Sequence, residues 1–383
     1  MRVGIDASNL RVGGGVTHLY ELLRACNPER DTFSKVVVWG GESTLSKLPT
    51  GNQWLRLVHV PALDATLPER LWWRRTRLSA LADRDCDLLF FPGGLGGYTR
   101  KPWVTMSRNM LPFEVDEKRR YGLSLRRFRF EALKYAQTKS FIRANGLIFL
   151  TEYAKNAVLK ALPRLPRQIT VIPHGVDQRF VLAPRSVRRI EDCSIHNPLR
   201  LIYVSTVDLY KHQWHVVEAV AGLRHRGIPV VLDLIGSAAK LSLARLRKAL
   251  ERFDPNGEFV SYCGSVSFED LHKRYHAADV FVYASSCENM PNILLEAMAA
   301  GLPIASSNRG PMPEVLDGAG VYFNPEDPSD IMQVLEQLVH DSQRRRELAS
   351  AAFKRAQNYS WHGCAKSTFE FLCEVYNSST RCM

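Results

Sequence analysis

The sequence has neither a long apolar run nor a close pair of cysteines. No apolar stretch approaches the roughly 18–20 residues that a membrane-spanning helix needs, so we expect none. The first eight residues, which include Arg2 and Asp6, contain no apolar core, and we expect no signal peptide. The eight cysteines are scattered and form no CxxC pair, which predicts reduced thiols in a cytoplasmic protein.

Acidic residues are also scarce relative to basic ones, and the formal net charge is +12. Between Lys118 and Arg143, nine Lys or Arg residues stand against a single acid, Glu131. A basic surface attracts nucleic acid, anionic lipid or a phosphorylated ligand. The charge alone does not choose among these partners.

Short apolar runs alternate with amphipathic stretches, a pattern typical of an α/β protein with parallel sheets. The candidate strands of a first series are Val3–Asp6, Val36–Trp39, Leu88–Phe91, Trp103–Met106, Leu147–Leu150 and Ile169–Ile172. Those of a second series are Leu199–Ser205, Val230–Ile235, Phe259–Cys263, Val280–Ala284, Pro303–Ser306 and Val321–Phe323. We therefore predict two doubly wound domains that face each other across a central cleft, residues 1–177 and 199–357. Residues 178–198 are predicted to be a linker, and 358–383 a C-terminal helix that packs back on the first domain.

The most informative segment runs from Tyr283 to Ala305 and predicts a strand, a loop, a helix that stops at Gly301, and another strand. Pro291 suits the first helical turn. The amides of Asn292, Ile293 and Leu294 should then point out of the helix N-terminus, where they favour an anion. Glu288 and Glu296 flank this site. They suit the hydroxyls of a sugar nucleotide, although an acid near a helix N-terminus is also common for stability alone.

Glu288 and Glu296, with seven residues between them and followed by Ala-Met-Ala-Ala-Gly-Leu-Pro-Ile-Ala, resemble the Glu-x7-Glu signature of retaining glycosyltransferase family four. Further matches follow in order along the chain: Gly13–Gly15, Ile172–Asp177, Lys211, Gly264 and the segment from Ala278 to Val282. The resemblance implies the GT-B fold, with two Rossmann-like domains, the first on the acceptor side and the second binding the donor.

The resemblance also implies roles for individual residues. Lys211 would bind the donor diphosphate, Glu288 would contact the transferred sugar, and Glu296 would hold the ribose. The remaining donor-binding positions would be Gly14, Gly15, Ser205, Gly264, Asn289, Met290, Pro291, Asn292, Ile293 and Leu294. Ser205 stands where the family usually has an arginine, so the missing charge would come from the helix amides, Arg309 or Arg108.

Many relatives carry a His-Asp pair after a strand of the first domain, where this chain has Arg108 and Asn109. These two residues, with His174, are our candidates for the acceptor or sugar side. His212 and His215 have a spacing that could suit a metal. With no third ligand nearby in sequence, we interpret them as a surface pair and expect no metal site.

The resemblance implies retaining transfer of a hexosyl group, mannose-like or related, from a GDP- or UDP-linked sugar to a saccharide, which we expect to be lipid-linked. The setting would be surface polysaccharide, lipopolysaccharide or glycolipid synthesis. The nucleotide sugar is a co-substrate, and we expect no separate cofactor. One alternative is a nucleotide-sugar epimerase of the same architecture. Another is a basic nucleic-acid-binding protein, which would leave the Glu-x7-Glu segment unexplained, so we expect no nucleic-acid partner.

Two basic amphipathic stretches, Glu69–Leu78 and Lys118–Phe130, are placed in the first domain. Such stretches can lie on an anionic membrane surface. Alternatively, their aromatic side chains pack inward and their arginines are only solvated. We expect a cytoplasmic protein that associates peripherally with the inner face of the membrane.

Overall fold

The computed structural model describes residues 1–11 and 13–381. The chain divides into two compact units. Unit 1 comprises Met1–Phe113, Ser124–Gly175 and Ser360–Met383, and unit 2 comprises Glu114–Leu123 and Val176–Tyr359. No helix among the described residues combines the length and hydropathy that crossing a bilayer requires.

Unit 1 is built on a seven-stranded parallel sheet with the order β3-β2-β1-β4-β5-β6-β7. Its strands are β1 (Arg2–Asp6), β2 (Lys35–Gly40), β3 (Leu55–His59), β4 (Leu88–Phe91), β5 (Trp103–Met106), β6 (Gly146–Phe149) and β7 (Gln168–Val171). Its helices are α1 (Gly14–Ala25), α2 (Pro28–Asp31), α3 (Glu42–Leu45), α4 (Leu67–Thr76), α5 (Leu78–Asp85), α7 (Leu125–Arg143), α8 (Glu152–Ala161) and α16 (Trp361–Arg381).

Unit 2 has a six-stranded parallel sheet with the order β10-β9-β8-β11-β12-β13. Its strands are β8 (Leu199–Val204), β9 (Val230–Ile235), β10 (Val260–Gly264), β11 (Val280–Tyr283), β12 (Ile304–Ser307) and β13 (Val321–Phe323). Its helices are α6 (Val115–Arg119), α9 (Gln213–His225), α10 (Lys240–Phe253), α11 (Phe268–Ala277), α12 (Asn292–Ala299), α13 (Met312–Leu316), α14 (Pro328–His340) and α15 (Ser342–Ala356).

In each sheet the strand order reverses beside the first strand. β1 lies between β2 and β4, and β8 lies between β9 and β11. Ligands of doubly wound sheets bind beyond the carboxyl ends of the strands at this switch point. The chain that follows β1 carries Gly13–Gly15, and the chains that follow β8 and β11 carry Lys211 and Glu288.

The prediction of two parallel α/β sheets is confirmed. All six strands of the second series are present, but the first series lacked β3. This strand is at the edge of the sheet and is only partly buried, with Arg56 and His59 exposed. Its apolar pattern is consequently weak, which is why it was missed.

The structure attaches two segments differently from the predicted boundaries. Glu114–Leu123 groups with unit 2, although the basic stretch Lys118–Phe130 was assigned whole to the first domain. The stretch is broken at Gly122, whose φ of +55° lies in the left-handed region. Residues 178–198, predicted to be a linker, are fastened to unit 2: Arg188 forms an ion pair of 2.6 Å with Asp279.

The C-terminal helix α16 groups with unit 1. The rings of Phe33 and Phe369 stack with centroids 4.3 Å apart. A Cβ atom at Gly146 would lie 2.7 Å from Val375, so only glycine lets the helix approach β6 this closely. Cys382, one of the eight cysteines, lies outside the described residues.

Candidate functional site

Glu288 is the centre of a hydrogen-bonded cluster in unit 2. Its Oε1 accepts hydrogen bonds of 2.6 Å from the hydroxyls of Tyr283 and Ser285, and it forms an ion pair with the Lys211 ammonium. Tyr283 is the last residue of β11, so the end of this strand aims its hydroxyl at the carboxylate. The pKa of Tyr283 is raised well above its usual value by burial and by Glu288, which keeps this hydroxyl a donor.

Lys211 ends a 3-10 turn, Leu209–Lys211, that precedes α9. Its side chain is only 6% exposed, against 15% for Glu288. Nζ also donates to the Tyr283 hydroxyl at 3.2 Å, and the Tyr203 hydroxyl donates to the Lys211 carbonyl at 2.5 Å. Removing one partner of such a buried ion pair leaves an uncompensated charge, which is costly. Burial of the ion pair therefore keeps the Lys211 ammonium beside the Glu288 carboxylate.

Glu296 lies in the second turn of α12 and is half-buried. The Tyr275 hydroxyl donates to its Oε2 at 2.9 Å. Burial raises the pKa of Glu296 to about 8; the hydrogen bond from Tyr275 opposes this shift, and the Asp177 carboxylate adds to it. At neutral pH the side chain is thus held mostly as the neutral acid.

Helix α12 begins one residue later than predicted, because Pro291 is its N-cap. The amide of Leu294 donates to the Pro291 carbonyl at 2.9 Å, so the expectation that it points out of the helix is wrong. Asn292 and Ile293 supply the remaining amides of that set. No acidic residue lies in the first turn, and no side chain caps it. The positive end of this helix therefore keeps its affinity for an anion.

Further predicted donor-side residues lie at strand ends of the same sheet. Ser205 follows β8 and is buried, and Gly264 ends β10 with a φ of +66° that favours glycine. Asn289 and Met290 are buried in the loop before α12. The structure thus brings the predicted residues of unit 2 to the carboxyl edge of one sheet.

Arg309 is a candidate for the second cation within unit 2. It is exposed and stands directly before Gly310. A Cβ atom at Gly310 would lie 3.8 Å from the amide nitrogen of Glu288. The Arg309–Gly310 loop therefore packs against the Glu288 loop.

His212 is not at the surface, which corrects the predicted surface pair. It is 1% exposed, and its Nε2 lies 2.9 Å from the Ser286 hydroxyl. His215 Nδ1 lies 2.9 Å from the Pro325 carbonyl. Both rings are thus held in hydrogen bonds within unit 2.

The predicted residues of unit 1 form a separate group. Arg108 donates to the Gly14 carbonyl at 2.6 Å and to the Gly15 carbonyl at 3.4 Å, which ties it to the glycine loop. Asn109 accepts from the Leu111 amide at 3.1 Å. His174 is 3% exposed, and burial followed by the charge of Arg108 lowers its pKa well below 6.5. It is a neutral, buried ring.

The residues whose hydroxyls donate to Glu288 and Glu296 were not among the site residues predicted from the sequence. Tyr283 and Ser285 stand within five residues of Glu288 in sequence, so the alternation at the end of β11 could have indicated them. Tyr275 reaches Glu296 from α11, 21 positions earlier, and no sequence signal links the two.

Two family models match the chain: "Glycosyltransferase Family 4" over residues 12–180 and "Glycosyl transferases group 1" over residues 191–355. The chain therefore belongs to the group 1 glycosyltransferases of family four, as the Glu-x7-Glu segment predicted.

Similar proteins include the serotype-specific mannosyltransferase WbdA of Escherichia coli, 23% identical over 76% of this chain and 36% of the relative. The chain spans about a third of the length of this relative. Among solved structures, Anabaena Alr3699/HepE in complex with UDP has a TM-score of 0.69 at 18% identity and covers 99% of each chain. WaaG, a glycosyltransferase involved in lipopolysaccharide biosynthesis, has a TM-score of 0.68 at 16% identity over 97% of this chain and 99% of its own. These likenesses show the GT-B fold.

Proposed function

We propose that the protein transfers a hexosyl group from a GDP- or UDP-linked sugar to a saccharide acceptor in surface polysaccharide or lipopolysaccharide synthesis. The observation that carries this proposal is the Lys211–Glu288 ion pair, held by Tyr283 and Ser285 in the loop that leads to α12. A cation, a helix N-terminus and a fixed carboxylate side by side match the diphosphate and the hydroxyls of a nucleotide sugar.

The reaction breaks the bond between the anomeric carbon and an oxygen of the diphosphate, and it forms a bond from that carbon to a hydroxyl oxygen of the acceptor. The hydroxyl proton is released, and the nucleoside diphosphate departs with negative charge developing on its oxygen. Lys211 and the first amides of α12 stabilise that charge, since preorganised donors and cations act where charge develops. Glu288 accepts hydrogen bonds from hydroxyls of the transferred hexose. Glu296 accepts from the ribose hydroxyls, and Arg309 supplies the second cation. We propose that the anomeric configuration is retained, as the family resemblance implies.

The relatives support the substrate classes. WbdA is named a mannosyltransferase, HepE was solved with UDP, and WaaG is described as acting in lipopolysaccharide biosynthesis. These descriptions favour a saccharide acceptor and a nucleoside diphosphate carrier for this chain as well.

A thermal-shift panel of UDP, GDP, ADP, dTDP and their sugars tests the donor site, because a ligand of the folded form raises the melting temperature. We expect one carrier to stabilise the wild type. Lys211→Ala should lose most of that shift, and Lys248→Ala, an exposed lysine of α10, should retain it. No shift with any nucleotide, or equal shifts in both variants, would refute the site.

Incubation of the stabilising sugar nucleotide with and without a saccharide acceptor separates transfer from epimerisation. The proposal predicts that the sugar is unchanged without an acceptor and is transferred when one is present. Conversion of the sugar in the donor alone would instead establish an epimerase.

We also propose that unit 1 binds an anionic membrane surface, where a lipid-linked acceptor would lie. Helix α4 exposes Leu67, Leu71 and Trp72, which are 55%, 41% and 57% accessible. The Arg77 guanidinium lies 6.0 Å from the Trp72 ring, so a cation accompanies the exposed aromatic. Trp73 packs inward instead.

Helix α7 exposes a second apolar stripe. Leu125, Phe128 and Tyr135 are 80%, 65% and 63% accessible and recur at helical spacing. Lys139 lies 4.2 Å from the Tyr135 ring centroid. Exposed apolar side chains with adjacent cations are the combination that interfacial helices use on anionic lipid.

Sedimentation with vesicles of phosphatidylcholine and phosphatidylglycerol tests this surface. We expect binding at low salt that weakens at high salt. Trp72→Ser and Phe128→Ser should reduce it, and Leu165→Ser, at another exposed leucine of unit 1, should not. Failure to bind at low salt, or equal loss in all three variants, would end the membrane proposal without affecting the donor site.

A further inference from the structure

Three side chains distant in sequence meet in the interior of unit 1. The imidazole nitrogens of His18 and His174 and the Sγ of Cys364 all lie within 4.8 Å of one another. The three residues are 0%, 3% and 4% exposed. They come from α1, from the chain after β7 and from the first turn of α16.

His18 needs a partner that the described residues do not provide. Within residues 1–11 and 13–381, neither of its ring nitrogens has a hydrogen-bond partner, although the side chain is fully buried. The His18 and His174 rings meet edge to face, with centroids 4.7 Å apart, and the Trp361 ring lies 5.8 Å from His18. An unsatisfied buried polar group costs about 1–3 kcal/mol. A ligand that accepts the lone pair of one ring nitrogen removes the part of this cost that belongs to that nitrogen.

The chemical type of these three side chains determines which metal ion fits. Two imidazoles and a thiolate are ligands typical of zinc, and softer than those that magnesium or calcium prefers. The Arg108 guanidinium lies close enough to act on both histidines. A bound dication therefore needs Cys364 as the thiolate, because its negative charge offsets that of the guanidinium.

The geometry requires a small closure. Ligand atoms of a tetrahedral zinc site lie roughly 3.3–3.8 Å apart, as bond lengths of about 2.0–2.3 Å dictate. Because the three atoms already lie within 4.8 Å of one another, the closure is at most about 1.5 Å. Three protein ligands leave the fourth position of the metal for a water molecule.

We propose that His18, His174 and Cys364 bind one zinc ion in unit 1. The ion joins three separate segments of the unit. One of them, α1, begins at the glycine loop that Arg108 contacts. The bound ion therefore holds this helix, and with it the adjacent loop, in place. This metal site is independent of the proposed transfer reaction, and a test of one does not decide the other.

Cobalt(II) is the probe, because a cobalt–thiolate bond gives a near-ultraviolet charge-transfer band that other ligands do not. We expect the chelator-treated full-length protein to bind one equivalent of cobalt with this band, and zinc to displace it. Cys364→Ser should lose the band, and Cys373→Ser, nine residues further along α16, should keep it. His18→Gln should keep the thiol but weaken binding by at least about tenfold.

The wild-type titration tests the proposal even if a variant folds poorly. Absence of the band in the wild type, or its persistence in Cys364→Ser, would overturn the site. Zinc should also raise the melting temperature of the wild type, and it should not do so for Cys364→Ser.

Discussion

Replacing Glu296 by glutamine should change the pH dependence of stability. Burial raises the pKa of this carboxyl from 4.5 to about 8, so folding favours its protonated form. The associated stability is fully present below pH 4.5 and is lost as the pH rises through about 8. Glutamine resembles the neutral acid in size, still accepts the hydrogen bond from Tyr275, and does not titrate.

The size of this stability change follows from the shift in the pKa of Glu296. Each pKa unit corresponds to about 1.4 kcal/mol, so the wild type should lose roughly 4–5 kcal/mol at most across this window. Because Glu296 is only half-buried, solvent reduces that figure, and we expect about 2–3 kcal/mol. Glu296→Gln should thus be as stable as the wild type near pH 4.5 and more stable by that amount at pH 8.5.

Urea unfolding of both proteins at a series of pH values between 4.5 and 8.5 measures this difference. Other titrating groups cancel in the comparison of the two proteins. A difference in unfolding free energy that is constant with pH, or a variant that is less stable than the wild type at pH 8.5, would show that folding does not raise the pKa of Glu296.

Three further predictions concern the site and its scaffold. Lys211→Ala should weaken binding of nucleoside diphosphates by roughly 10- to 100-fold and of nucleosides far less, as calorimetry would show; equal losses would contradict a diphosphate role. Tyr283→Phe removes one hydrogen bond to Glu288 and should lower turnover at least about tenfold, with nucleotide affinity nearly unchanged; a loss confined to affinity would contradict this. Gly175→Ala places a Cβ atom against the backbone nitrogen of Trp361 and should destabilise the protein by about 1–3 kcal/mol in urea unfolding; an unchanged midpoint would contradict this.

Much of the fold could be predicted because periodicity is a local property. The strands of both sheets are short apolar runs, and β4 is buried at all four positions. The edge strand β3 was not predicted, because its exposed residues interrupt the apolar pattern. The attachment of Glu114–Leu123 to unit 2 depends on contacts such as the Arg120–Glu326 ion pair of 2.6 Å. The two residues are 206 positions apart, and nothing local marks them as partners.

The candidate site also contains residues that could be predicted from the sequence and residues that could not. Glu288, Glu296 and the start of α12 lie in one segment, so their spacing made them visible in the sequence. The partners of Lys211 could not be foreseen, because it reaches Glu288 across 77 positions through the pairing of β8 with β11. The proximity of His18 and Cys364 could not be predicted from the sequence either, because only the packing of α16 within unit 1 brings them together. The expectation of no metal site rested on sequence neighbours alone.

In the proposed reaction, Glu288 acts on the transferred sugar while Lys211 holds the diphosphate. The most direct measurement compares donor turnover and donor affinity in the wild type, in Glu288→Gln and in Glu269→Gln, an exposed glutamate of the same unit. We expect Glu288→Gln to lose at least about a hundredfold in turnover yet to bind the free nucleotide within about twofold of the wild type, and Glu269→Gln to be unaffected. Turnover of Glu288→Gln close to that of the wild type would contradict it.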